Sequence, residues 1–441
     1  MFKSNSISEW VDYIQTLHVR EIDLSLERVR KVTLALYADM CPQGRPFKVI
    51  SVAGTNGKGS TCEIIASIYR AANIKVGKFS SPHLVRFNER FSIDGFDAND
   101  HQLLDAFKTV ESARGDTPIT YFEYGFLLAI ALFLNEKVDV AVMEVGLGGR
   151  LDAVNVLDAD VAVITSIALD HTAWLGDTLD EIAFEKSGIA RNFKPCVVGV
   201  REPQQSMLDH LNNIDAKQVL IGKHFDFTGL IKDAKSQVAP SWSYDAEGLT
   251  LKELPLPFGQ AGVQLSNASL AIAAVEQLGN DINVEDHHYR TGLDRAKLAG
   301  RCQLISSKPF VVLDVSHNEA SIKRLNEFIE SLDVAGQVIA VCGMLQDKQI
   351  VASLSRILSS VSQWHLATIS GERGSSAAQI NACLEQACNA SGAGKPDLIA
   401  LHDNAVKAYN KANETLTSDD CLLVFGSFYV VGDIISLLES S

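Results

Sequence analysis

"VAGTNGKGST" (Val52–Thr61) decides how the first part of this chain is read. It follows the β-branched run "KVISVAG" and opens "STCEIIASIYRAAN", whose apolar residues recur at helical spacing. A glycine-rich turn between a strand and a helix lets backbone N–H groups and the positive end of the helix hold phosphate. The spacing is not that of the common G-x-x-x-x-G-K-[ST] loop. Aligned on Gly57-Lys58, Val52 stands where the first glycine belongs and Gly59 where the hydroxyl belongs. Gly54, Gly57 and Gly59 still free the backbone to turn inward, and Lys58 can reach terminal phosphates. Ser60 and Thr61 come one position late for the usual magnesium contact.

Outward from this loop the chain alternates strand and helix. "VDVAVMEVG" (138–146) and "VAVITSIA" (161–168) are unbroken apolar runs, as expected of parallel strands buried on both faces. A helix is expected between Tyr121 and Asn135, and Thr178 with Glu181 forms a capping-box signature before another. From about His224 to Gln260 the texture shifts to short alternating runs, read as a small antiparallel excursion. "NASLAIAAVEQLG" returns to helix. Beyond Lys297 a second alternation begins, with strands expected at "FVVLDVS", "QVIAVCGM", "WHLATIS", "DLIALHD" and "CLLVFGS". The expected fold is α/β: residues 1–296 form a phosphate-loop ATPase domain with a mostly parallel sheet, and 297–441 a smaller Rossmann-like α/β domain.

Composition narrows the function. The 441 residues are 46% hydrophobic and 21% charged, as in a soluble globular protein, and the formal net charge is −15. Long-range attraction to nucleic acid or an anionic membrane is not expected of so acidic a chain. No signal peptide or membrane span is read; the longest apolar stretch, "FLLAIALFL" (Phe126–Leu134), suits a buried helix. Eight scattered cysteines match no zinc or redox motif, which points to reduced thiols in the cytoplasm.

Several residues outside the loop invite chemistry. Ser80 and Ser81 end a strand before Pro82, where a hydroxyl can ligate magnesium. Glu144 is a carboxylate in an apolar run at a strand's carboxyl end, the side on which ligands bind in open α/β sheets. Gly146–Arg150 is a glycine loop able to approach a ligand closely. His171 follows the next strand. Lys186 lies in "DEIAFEKSG", where a lysine ordinarily makes a surface ion pair. In the second domain Asp314, His317 and Asn318 occupy a strand-to-helix loop, and Arg301 sits near the boundary, well suited to neutralising phosphate.

These stretches together resemble folylpolyglutamate synthase/dihydrofolate synthase, of the Mur ligase superfamily. The likeness spans nearly the whole chain and rests on "DLSLERVR", "VAGTNGKGST", "SSPHLVRFNER", "TYFEYG", "EVGLGGRLDAVN", "ITSIALDHTAWLGDTLDEIAFEKSGI", "LAGRCQ", "LDVSHN" and "FGSFYVVG". In that family the loop reads G-T-N-G-K-G-[ST], so its odd spacing is the family's own. The resemblance implies ATP binding by Gly54, Thr55, Asn56, Gly57, Lys58, Gly59, Ser60 and Thr61, with Asn267 near the adenine and Arg301 and Asp314 as further nucleotide contacts. It implies two Mg2+ sites, one at Ser81 and Glu144, the other at Glu144, His171 and a carbamylated Lys186. It implies a pterin region at Thr120, Phe122, Arg150, Asp152 and Ala153. Lys58, Arg301 and His317 take the catalytic roles, His317 near the reacting carboxyl and the incoming glutamate. The implied reaction joins L-glutamate to dihydropteroate or to reduced folates through an acyl phosphate made from ATP. The enzyme is expected to act as a cytoplasmic monomer without nucleic-acid or membrane partners.

Two other readings compete. A Mur-type ligase acting on a nucleotide-sugar peptide would need a separate UDP-binding domain, for which the short N-terminal segment leaves no room. A regulatory NTPase would hold ATP without glutamate.

Overall fold

A computed structural model of the chain describes residues 2–20, 22–231, 240–259, 263–279, 281–391 and 396–440. It divides into two compact units, Met1–Lys297 and Leu298–Ser441.

The first unit is built on eight strands: β1 (Lys48–Ala53), β2 (Val76–Phe79), β3 (Phe91–Ile93), β4 (Phe96–Asp97), β5 (Val140–Glu144), β6 (Val161–Ile164), β7 (Pro195–Val198) and β8 (Lys217–Leu220). Their order is β4-β3-β2-β5-β1-β6-β7-β8. The pairings from β2 to β8 are parallel, and β3 and β4 form an antiparallel edge. Side chains explain the apolar runs. Val49 and Ala53 of β1 enter one apolar cluster, while Ile50 and Val52 enter another. β5 and β6 divide the same way, so the sheet is covered on both faces. The Tyr121–Glu136 helix, apolar nearly all round, is buried in the first cluster. The Lys58–Ala71 and Val263–Glu276 helices contribute to the second.

Two expectations change. The apolar run 161–168 is a strand only to Ile164, and the chain leaves the sheet at Thr165. The helix after the loop starts at Lys58, so the lysine lies on its first turn. The antiparallel excursion is a three-stranded sheet of β9 (Phe225–Ile231), β10 (Ser241–Ala246) and β11 (Leu249–Leu254), in the order β11-β10-β9. Its expected end at Gln260 lies outside the described residues.

The second unit holds β12 (Gln303–Ser307), β13 (Phe310–Asp314), β14 (Val338–Cys342), β15 (Gln363–Ala367), β16 (Leu398–His402) and β17 (Cys421–Phe425), in the order β12-β13-β17-β14-β15-β16. The five strands read from sequence are parallel; the unread β12 pairs antiparallel with β13 at the edge. Trp364 of β15 is fully buried in this unit's core. Trp364→Ala is expected to cost about 3–5 kcal/mol, the usual loss for a large core aromatic. Urea unfolding of the Leu298–Ser441 unit, followed by circular dichroism, checks this; an unmoved midpoint would contradict it.

Candidate active site

β1 ends at Ala53, and Gly54–Gly57 turn the chain into the Lys58–Ala71 helix. Gly54 has φ +149°, and a Cβ there would stand 1.9 Å from Thr165 Oγ1. No side chain fits. Gly54→Ala is therefore expected to weaken nucleotide binding at least about tenfold, since the loop must move to relieve the overlap; calorimetric titration with ADP reads the loss, and wild-type affinity would refute it. Gly57, at φ +90°, carries the loop against Asn267, whose Oδ1 would lie 2.4 Å from a Cβ at that glycine. Asn267 is itself held by Gln264, its Nδ2 donating at 3.0 Å. The Lys58 ammonium donates to its own loop, at 2.9 Å to the Gly54 carbonyl and 3.3 Å to that of Thr55. Ser60 and Thr61 are buried on the helix's first turn.

Not every loop residue faces outward. The Thr55 hydroxyl bonds to the backbone of Ala168, and Asn56 meets the hydroxyls of Thr165 and Ser166. The loop is thus fastened to the segment that leads to His171.

Glu144 closes β5 beside β1 and is buried. Its Oε2 accepts the Ser81 N–H at 3.2 Å, which brings together the serine and carboxylate expected of one metal site. His171 has φ +53° and stands just before the short Thr172–Leu175 helix, its backbone N–H donating to Asp170 Oδ1 at 2.9 Å.

Lys186 departs furthest from its ordinary reading. It lies in the Leu179–Ser187 helix, capped by the Thr178–Glu181 box, yet it is 4% exposed and makes no surface ion pair. Burial first, then the charge of Lys58, bring its ammonium down to about 7, against the carboxylates of Asp170 and Asp152. Lys58, Asp152, Asp170 and Lys186 therefore share one electrostatic neighbourhood. Asp170 went unread in the sequence, although it lies inside the "ALDH" stretch.

The pterin-region residues hold the fold around this neighbourhood. Thr120 caps the Tyr121–Glu136 helix, reciprocally with Glu123. Phe122 packs over Gly146, where a Cβ would lie 2.6 Å from its ring. Arg150 pairs with Glu185 at 2.7 Å and lies over the Phe184 ring. Asp152 is buried, its two oxygens accepting the N–H groups of Leu147 at 2.9 Å and Val154 at 3.0 Å. Burial pushes its carboxyl up to about 6, against those donors and Lys58. Ala153 starts the short 3-10 turn that Asp152 caps. The close approach allowed by Gly149 is to the Glu185 and Lys186 carbonyls, 2.8 and 2.9 Å from a Cβ built there.

In the second unit Asp314 ends β13 and accepts the N–H groups of Cys302 at 2.6 Å and Ser316 at 2.7 Å. Arg301 lies over the Phe428 ring at 5.1 Å, and His317 is 6.3 Å from the same ring. His317 Nδ1 meets the Val315 carbonyl at 2.8 Å. A carbonyl only accepts, so Nδ1 carries a proton, which leaves Nε2 as the accepting nitrogen in the neutral ring. Phe428, which gathers Arg301 and His317, was missed as a site residue.

Two family profiles match, the Mur ligase middle domain over residues 52–275 and the Mur ligase glutamate ligase domain over 300–428. A dihydrofolate synthase/folylpolyglutamate synthase of Escherichia coli is 40% identical over 438 residues, covering 99% of this chain and 96% of that relative. The chain belongs to the dihydrofolate synthase/folylpolyglutamate synthase family. A Bacillus subtilis member of that family is 31% identical, covering 90% of this chain and 92% of its own length. A solved E. coli structure, described as FolC in complex with DHPP and ADP, superposes with a TM-score of 0.88 at 39% identity, covering 98% of this chain and 97% of that one. A second, described with Mn, AMPPNP and L-glutamate bound, gives 0.85 at 36% identity, covering 98% of each chain. As a member of this family the chain is an ATP-dependent, amide-forming ligase.

Proposed function

We propose that the enzyme adds L-glutamate both to dihydropteroate and to reduced folates, through an acyl phosphate formed at the expense of ATP. The observation that carries this reading is the glycine loop that leads from β1 to Lys58, with the buried carboxylate of Glu144 closing the adjacent strand β5. The family relatives, named for both activities, support it.

In the first chemical step the substrate carboxylate attacks the γ-phosphorus of ATP, and ADP leaves. The glutamate amine then attacks the acyl carbon, loses a proton and expels phosphate. Phosphoryl transfer depends mainly on positioning and charge neutralisation. Lys58 offsets charge on the terminal phosphates, and Arg301 supplies a second cation. In its neutral form His317, with Nδ1 held by the Val315 carbonyl, offers Nε2 as a proton acceptor near the incoming amine. Asn267 contacts the adenine, Asp314 the nucleotide, and Phe122 stacks on the pterin. The Met1–Ala296 part binds nucleotide and pterin, and Lys297–Ser441 completes the ligase.

The residues fit two Mg2+ ions. Glu144 and Ser81 are already in contact, and the buried Lys186 amine is near the protonation state that CO2 addition requires. Ser81 and Glu144 would hold one ion, and Glu144, His171 and carbamylated Lys186 the other. When bound, the ions would neutralise phosphate charge. Among the described residues no three His, Cys, Asp or Glu side chains converge as a ready ligand set. The proposed sites do not need one, because a serine and a modified lysine complete them. Among the described residues, too, no helix is long and apolar enough to cross a membrane. A cytoplasmic monomer is the form we assign.

Phosphate release measured with ATP and glutamate, with and without dihydropteroate, tests the reading. Turnover that requires both co-substrates is expected, as is extension of tetrahydrofolate. ATP hydrolysis indifferent to glutamate would instead favour a regulatory NTPase.

A further inference from the structure

Beyond the end of β1 the phosphate loop runs beside Thr165–Ala168 without forming a regular ladder. Side-chain hydroxyls hold the two segments together. A hydroxyl can accept from an N–H while donating its own proton to a carbonyl. Ser166 does this to a single residue of the loop: its Oγ accepts the Asn56 N–H at 2.9 Å and donates to the Asn56 carbonyl at 3.0 Å. Thr55 does the converse, its Oγ1 accepting the Ala168 N–H at 3.0 Å and donating to the Ala168 carbonyl at 3.1 Å. Between them the Thr55 N–H donates to the Ser166 carbonyl at 2.8 Å. Thr165 Oγ1 adds a further bond to the Asn56 carbonyl at 2.7 Å.

We infer that Ser166 and Thr55 form a reciprocal clamp that positions the phosphate loop and the arm bearing His171 as one piece. Ser166 is a positioning residue: it fixes the Asn56 peptide, directly before the amides of the helix's first turn, which have no intrahelical acceptor and are left for phosphate. Thr55 acts in the other direction. It fixes Ala168, three residues before His171, so that the loop's setting and the arm's setting are no longer independent. The Thr55 hydroxyl is thus spent on the protein rather than on the nucleotide. The inference rests on the reading of this loop as the ATP site.

Calorimetric titration of the full-length enzyme with AMPPNP, at several Mn2+ concentrations, tests it. Ser166→Ala should weaken AMPPNP binding about tenfold, the scale expected when a half-buried peptide loses a partner at both its N–H and its carbonyl. Thr55→Val, which keeps the side-chain shape, should raise the Mn2+ concentration needed for half-maximal AMPPNP binding by a similar, roughly tenfold factor. Thr55→Ser should stay within about threefold of wild type, and the KM for glutamate should be unchanged in all three. Wild-type behaviour of both Ser166→Ala and Thr55→Val would overturn the clamp. So would a loss in Thr55→Ser equal to that in Thr55→Val, because the methyl rather than the hydroxyl would then matter. Failure of the wild-type enzyme to bind AMPPNP would overturn the underlying ATP reading instead.

Discussion

Lys58→Ala is expected to lower the ligation rate by on the order of 10²–10³ while the unit keeps its fold. The side chain packs into no apolar cluster; its ammonium only bridges carbonyls of its own loop, at 2.9 and 3.3 Å. Those carbonyls can turn to water when it is removed. The terminal phosphates lose the loop's own full charge, because its glycines offer only dipoles. Lys58→Arg should recover little, since a planar fork is larger and aims its donors differently. Single-turnover acyl-phosphate formation is the measurement to make, with thermal unfolding as the control. A near-wild-type rate in the alanine variant would mean that another segment holds the phosphates.

Lys186 should be carbamylated in the working enzyme, and its loss should be as damaging. An ammonium has three donors and no acceptor and so cannot ligate a metal ion. CO2 adds to the neutral amine, the nitrogen loses a proton, and the product presents two oxygens sharing one negative charge, suited to Mg2+. Burial in the structure favours the neutral amine. Burial lowers the ammonium to about 7, whereas an exposed lysine would be almost wholly protonated at neutral pH. The direction of the pH effect follows: adduct formation should rise as pH climbs through about 7 and fail below it, because the protonated form cannot react. Activity should therefore fall on prolonged dialysis against bicarbonate-free buffer at slightly acid pH and return with bicarbonate above neutrality. Lys186→Ala should lose on the order of 10² or more in rate, as when a group stabilising transition-state charge is deleted. Full activity of Lys186→Ala in bicarbonate-free buffer would sink the assignment, as would metal-bound density showing an unmodified lysine turned away from the ions.

The sequence carried the architecture because parallel strands buried on two faces must be apolar throughout. β1, β5, β6 and the inner parallel strands β13, β14, β15 and β17 announced themselves in that way, and the edge strand β16 by its apolar run alone. β12 did not: Leu304 and Ile305 are exposed on an edge strand, and the run resembles a loop. The end of β6 was misjudged for a related reason. Thr165–Ala168 is apolar enough to continue a strand, but it departs to meet the phosphate loop, and hydroxyl-to-backbone bonds leave no periodic mark. At the site the glycines, Lys58, Glu144 and His171 could be named from residue type and position. The burial of Lys186 could not, because its neighbours along the helix are acidic and the Gly146–Arg150 loop that packs on its helix backbone is far away in sequence. The capping roles of Asp152 and Thr120, both expected in the pterin region, were not read. A carboxylate or hydroxyl beside a glycine loop looks the same in sequence whether it meets backbone or substrate.

The way β1 divides its side chains has a consequence for how this family can change length. Val49 and Ala53 serve one core and Ile50 and Val52 the other. One residue inserted or deleted within the strand would exchange those two sets and at once shift Gly54 from its place against Thr165. Two packing errors and a steric overlap would arise from a single event, with no smaller step between them. Lineages should therefore gain and lose residues at turns such as Asp94–Gly95 or Glu247–Gly248, which lie between antiparallel strands, and leave the interval from Lys48 to Lys58 at constant length.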